Sequence, residues 1–129
     1  MRVLIVDDQD YIRRGLKAFL GEEPDVEICG EALNGSEAID MAMKLRPDVV
    51  IMDISMPILD GLRATSVIRR IVPNVEVITL SQYELPDAHE VLEAGARTHV
   101  PKLALWDKLL PALRGLQRPK ADPPSNSAS

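Results

Sequence analysis

Five short apolar runs separated by longer segments of helical period constrain this chain more than any other feature. The runs are RVLIV (2–6), VEICG (26–30), DVVIM (48–52), VEVITL (75–80) and THV (98–100). Between them apolar residues recur every three or four positions: Ile12, Leu16, Phe19 and Leu20; Ala38, Ile39, Ala42 and Leu45; Leu62, Val67, Ile68 and Ile71. After the last run come Trp106, Leu109, Leu110, Leu113 and Leu116. Such spacing lines one face of a helix. A fourth helix, between the last two runs, is expected from Pro86 to Ala94. Boundary signals fall at the joints, with Pro24 after the first helix, Asn34-Gly35-Ser36 opening the second, Pro47 closing it and Gly95 closing the fourth. Strands that are apolar nearly throughout need cover on both faces, so this alternation implies a parallel sheet with right-handed crossovers. Five strands cannot close an eight-stranded barrel, which leaves an α/β, open doubly wound, five-stranded parallel sheet with five helices on its two faces. Ligands of such sheets bind outside the carboxyl ends of the strands.

The 129 residues suffice for one domain, expected over 1–117, while 118–129, rich in Pro, Ser and Ala without periodicity, read as a disordered tail or the start of a linker. No apolar run approaches the roughly 18 residues of a membrane span, and MRVLIVDDQD is too short in apolar residues and too acidic for a secretory signal. A cytoplasmic protein is the expectation. The single cysteine, Cys29, permits no internal disulfide and reads as a reduced, buried thiol. A net charge of −5 argues against a nucleic-acid surface, which needs clustered Lys and Arg.

What emerges at the strand ends carries the chemistry. The first strand delivers Asp7 and Asp8, the third Asp53, the fourth Ser81 with Thr79 just inside, and the fifth is followed by Lys102. Converging acids raise one another's pKa unless a cation neutralises them, and the agents available are Lys102 and a hard divalent ion. With oxygen donors and no His or Cys among them, Mg²⁺ suits the set better than zinc. Asp53, at the tip of the most uniformly apolar strand, is placed to act as a nucleophile towards phosphorus.

The blocks VLIVDDQ, PDVVIMDISMPILDG, VITLSQYE and EAGARTHVPK, in this order and spacing, resemble the four signature blocks of bacterial two-component response-regulator receiver domains. EPDVEICGEALNGSEAIDMAMKLRPD resembles the subfamily whose members carry a helix-turn-helix output domain. The resemblance implies a flavodoxin-like strand order, 2-1-3-4-5. It implies that Asp53 accepts a phosphoryl group from a sensor histidine kinase, a phosphotransfer protein or a small phosphodonor. Asp7, Asp8, Asp53 and the Ser55 carbonyl would hold Mg²⁺, while Lys102 and Ser81 would hold phosphoryl oxygens. Asp60 and Gly61 would be structural. It further implies a homodimer on phosphorylation, DNA contact only through a separate domain, and catalysis confined to the chain's own phosphorylation and dephosphorylation.

The sequence departs from that family at His99, where Tyr or Phe is usual, and at Gln82, bulkier than the small residue often found there. His99 reads as a half-buried strand histidine, with altered or pH-sensitive coupling as the other reading. Gln82, with Tyr83 and Ser55, bears on the lifetime of the phosphorylated form. Two alternatives stand beside the switch. One is an interaction module that works without phosphorylation, against which the intact Asp7, Asp8, Asp53, Ser81 and Lys102 argue. The other is a phosphatase with an aspartyl-phosphate intermediate, against which the adjacent pair Asp7-Asp8 and the absence of a second acid two residues after Asp53 argue.

Overall fold

The computed structural model describes residues 1–56, 61–82 and 89–116. Five strands, β1 (Arg2–Val6), β2 (Glu27–Ala32), β3 (Val49–Asp53), β4 (Glu76–Ser81) and β5 (Thr98–Pro101), form one parallel sheet in the order β2-β1-β3-β4-β5. Helices α1 (Asp10–Gly21), α2 (Gly35–Leu45), α3 (Gly61–Ile71), α4 (His89–Glu93) and α5 (Leu105–Leu116) alternate with them, and a 3-10 turn, Lys102–Ala104, leads into α5. The five apolar runs thus become the five strands, each within two residues of its expected bounds. Of the helix expected over 86–94, residues 89–93 are helical and 86–88 lie outside the described residues, as do Asp60, Tyr83 and the tail beyond 116.

Every residue of β3 is buried, which explains its unbroken apolar composition. The sheet separates two cores. Val3, Ile5, Ile51, Ile78, Leu80 and Val100 meet Ile12, Leu16 and Leu20 of α1 and Leu105, Leu109 and Leu113 of α5 on one face. Leu4, Val6, Val50, Met52 and Val77 meet Ala38 and Ala42 of α2 and Ala64 and Ile68 of α3 on the other. Each fully buried Leu, Ile or Val contributes about 1.5–3 kcal/mol, so the pleat alternation that assigns residues to the two cores also fixes the register.

The cap signals act as the sequence suggests. The Asn34 side chain accepts from the Glu37 N–H at 2.9 Å, Glu37 Oε1 accepts from the Leu33 N–H at 3.0 Å, and Arg46, at φ 47°, ends α2 in the left-handed conformation before Pro47.

Three expectations need correction. Of the expected inward face of α3, Ile68 is buried, but its companions there are Gly61, Ala64 and Thr65 rather than Leu62, Val67 and Ile71, because α3 lies close against α2 and small residues permit that approach. Trp106 is 48% exposed; it tilts over Phe19 with ring centroids 5.3 Å apart while Leu105 takes the buried place. Cys29 is half-buried, since it is the extra residue where the β1–β2 register shifts between Ile28 and Gly30.

Candidate functional site

The site lies where the order of connection reverses, between β1 and β3, at the carboxyl ends of the strands. Register brings Val6 beside Met52, so the residues that follow, Asp7 and Asp53, leave the sheet side by side. Asp7 and Asp53 are buried, at 0% and 1% exposure, and Asp8 is exposed. One carboxylate oxygen from each of the three falls within 4.8 Å of the others. Lys102 arrives from the end of β5: its Nζ stands 2.8 Å from Asp7 Oδ2 and 3.3 Å from Asp53 Oδ2 and donates to Gln9 Oε1 at 2.9 Å.

Backbone N–H groups hold the two buried acids in place. Gln9 N–H donates to Asp7 Oδ1 at 2.8 Å, and Ser55 N–H donates to Asp53 Oδ1 at 2.9 Å. Each acid therefore keeps one oxygen fixed and turns the other toward the shared space. Asp7 Oδ2 is the one buried side-chain polar atom among the described residues with no aligned hydrogen bond, its contact with Lys102 being charge pairing. Gly61 closes the site from behind: a β-carbon there would collide with the Asp53 carbonyl oxygen.

The electrostatics are unbalanced. With all groups ionised, three carboxylates face one ammonium, a net charge of −2. Burial raises the Asp7 pKa, and Lys102 and the Gln9 N–H pull it back only in part, while the Asp53 charge adds to the rise. Burial alone would lower Lys102, but the Asp7 and Asp53 carboxylates outweigh it and hold the ammonium above its ordinary value. The contact favours both charges, but it outweighs the burial penalty only at the lysine and not at Asp7.

Four of the residues singled out in the sequence, Asp7, Asp8, Asp53 and Lys102, meet directly, and Ser55 meets Asp53 through its main chain. Ser81 is buried at the end of β4, one residue past the partner of Asp53 in the sheet, and its Oγ lies 2.9 Å from His99 Nε2. Two supporting residues escaped sequence reasoning. Gln9 touches both Asp7 and Lys102, and Arg13 donates to the Asp7 carbonyl at 2.7 Å while pairing with Asp10 and Glu31. Position gives a signal for both, since Gln9 follows the paired acids and Arg13 lies one helical turn further on.

The arrangement is a pocket of oxygen donors with excess negative charge, one fixed cation, and a carboxylate able to attack an electrophile. Residues 3–114 match the model of the response regulator receiver domain. The transcriptional regulatory protein LiaR of Bacillus subtilis is 38% identical over 119 residues, covering 92% of this chain and 56% of LiaR, so the chain spans about half the length of that relative. The response regulator domain of Thermotoga maritima CheB superposes with a TM-score of 0.83 at 32% identity, covering 95% of this chain and 98% of that one. CheY in the CheX-CheY-BeF3-Mg complex of Borrelia burgdorferi superposes with a TM-score of 0.86 at 28% identity, covering 92% and 90%. By sequence, strand order and the acids at the ends of β1 and β3, this chain belongs to the response regulator receiver domains, whose role in two-component systems is that of a phosphorylation switch.

Proposed function

We propose that Asp53 is the phosphoacceptor of this chain and that Mg²⁺ is bound beside it by Asp7, Asp8, Asp53 and the Ser55 carbonyl. One observation carries the reading: two buried acids and an exposed third share a space with a single lysine, and Asp7 Oδ2 within it lacks an aligned partner. All the donors are oxygen, the set that a hard divalent cation takes. When bound, Mg²⁺ would neutralise charge on the transferring group and on the acids around it.

The chain's own groups supply the rest. The free Asp53 oxygen attacks phosphorus of a phosphohistidine; the new O–P bond forms as the N–P bond breaks, and the imidazole leaves with a proton from solvent. The Ser55 N–H keeps the carboxylate oriented through its other oxygen. Lys102, already 3.3 Å from Asp53 Oδ2, turns to a phosphoryl oxygen, and the Ser81 hydroxyl takes another. Hydrolysis returns the carboxylate. The donor is a sensor histidine kinase, a phosphotransfer protein or a small acyl or amido phosphate, and the modified form pairs with a second copy. Likeness to a transcriptional regulatory protein of about twice the length supports a role as the receiver part of such a regulator, with DNA contacted by a separate domain. No described helix is long and apolar enough to cross a membrane, in keeping with action in the cytoplasm.

Incubation with a small phosphodonor and Mg²⁺, read by intact mass, tests this. One phosphoryl group is expected on the wild type and none on Asp53→Asn. Equal labelling of both removes Asp53 from its role.

A further inference from the structure

The position opposite Thr79 on β5 is taken by His99, and its imidazole spans two hydroxyls of β4. Nδ1 lies 2.7 Å from Thr79 Oγ1 and Nε2 lies 2.9 Å from Ser81 Oγ. Thr79 and Ser81 are two residues apart and so project from the same face of the sheet; the ring leans along the strand to reach both. Thr79 Oγ1 in turn lies 3.4 Å from the Thr98 carbonyl, a group that can only accept. A neutral imidazole has one donor and one acceptor. The run of contacts is complete in one direction: Thr79 donates to Thr98, Nδ1–H donates to Thr79, and Nε2 accepts from the Ser81 hydroxyl. The opposite tautomer would turn the Thr79 proton to Nδ1 and away from Thr98.

We propose that His99 is a positioning residue that holds the Ser81 hydroxyl proton in the resting state, so that switching exchanges a Ser81–His99 hydrogen bond for a Ser81–phosphoryl one. The proposal rests on the phosphoacceptor reading above. A carbocyclic ring at position 99 could fill the same space but could not accept from Ser81, so here the resting state is held by a directed polar bond as well as by packing. Burial lowers the His99 pKa, which keeps the ring neutral and Nε2 able to accept. Among the described residues the hydrogen bonds of His99 go to Thr79 and Ser81, outside the set proposed to hold the cation. Its effect passes through Ser81.

The test uses beryllofluoride with Mg²⁺ as the phosphoryl mimic and the full chain with ¹⁵N-labelled histidine. In the resting protein the His99 ring is expected as the Nδ1–H tautomer, with Nε2 shifted by hydrogen bonding. Ser81→Ala should move Nε2 toward its unbonded position, and beryllofluoride should do the same in the wild type. His99→Phe should bind beryllofluoride about fivefold more tightly, equivalent to about 1 kcal/mol at 1.4 kcal/mol per tenfold. His99→Gln, which restores an acceptor near Ser81, should return to within about twofold of wild type. Combined with Ser81→Ala, His99→Phe should change nothing, since no hydroxyl remains to release. A His99→Phe effect that persists without Ser81, or an Nε2 resonance indifferent to both Ser81→Ala and beryllofluoride, overturns the proposal. If the wild type neither binds beryllofluoride nor labels at Asp53, the switch reading itself falls and the proposed role of His99 falls with it. Labelling with a silent Nε2 defeats this proposal alone.

Discussion

The two ends of the sheet both carry charge but dispose of it in opposite ways. At the opening end, where strands begin, each acid has a guanidinium or N–H partner and none is buried. The Arg2 N–H donates to Asp48 at 2.7 Å, the Arg2 guanidinium stands 3.7 Å from Glu27 and caps the carbonyls at the end of α2, Arg97 pairs with Glu76 at 3.4 Å, and Arg114 pairs with Glu23 and Asp25. Such solvent-screened pairs add little to stability. At the closing end three acids share one lysine, and two of those acids are buried. One end keeps its acids near solvent, each with a partner, while the other buries two of three beside a single lysine, an unfavourable negative charge density that a divalent cation would relieve.

The comparison breaks most readily at Lys102. Lys102→Ala leaves Asp7 and Asp53 buried without their cation and should cost about 2 kcal/mol of stability in metal-free buffer, read by chemical denaturation. The same variant should bind Mg²⁺ several-fold more tightly than wild type, because the site then carries one more net negative charge. Weaker Mg²⁺ binding would mean that the lysine organises the acids rather than competing with the metal.

A smaller effect with a telling sign comes from trimming one acid at each end. Asp7→Asn removes a buried charge whose desolvation exceeds what Lys102 returns, so it should raise metal-free stability by about 1 kcal/mol while abolishing stabilisation by Mg²⁺. Asp48→Asn weakens an acceptor for the Arg2 N–H at a solvated surface and should lower stability by about 0.5 kcal/mol, with the Mg²⁺ response intact. Changes of the same sign at both ends would erase the distinction drawn between them.

How much of this could be read from the chain follows from what each end is made of. The sheet and its active end were legible because apolar runs that terminate in Asp7, Asp53 and Ser81 encode both a strand and its exit, and because sheet geometry says where exits converge. Lys102 was legible for the same reason. The face of α3 was not: its inward residues, Ala64 and Thr65, are small, so periodicity pointed to the larger Leu62, Val67 and Ile71, of which Ile71 is exposed. The exposure of Cys29 depends on a register shift between neighbouring strands, which no local pattern specifies. The His99 contacts depend on cross-strand register, Thr79 opposite His99, together with the ring's lean toward Ser81. The sequence placed a histidine near a hydroxyl without saying that it spans two.

The mildest expected effect concerns pH and this same histidine. Because burial lowers its folded-state pKa below the ordinary 6.5, the unfolded chain binds the proton more readily than the folded one. Above about pH 6.5 the ring is neutral in both states and contributes nothing to the pH slope. As pH falls below that, stability should decline, and it should level off once the lowered folded value is passed. Among the described residues the polar groups in contact with the ring are the Thr79 and Ser81 hydroxyls of β4; the charged groups of neighbouring elements have partners of their own, His89 with Glu93 at 2.7 Å on α4 and the Arg69 guanidinium with the Val75 carbonyl on α3. The raised Asp7 pKa acts in the opposite sense, adding stability as pH falls toward 3.8, and it is present in both proteins when wild type and His99→Phe are compared. The difference between their stability curves should therefore be flat from pH 8 to about 6.5 and should turn against the wild type below it. A flat difference down to pH 5 would mean that protonating the ring costs the fold nothing, and that the contacts to Thr79 and Ser81 adapt freely to an imidazolium.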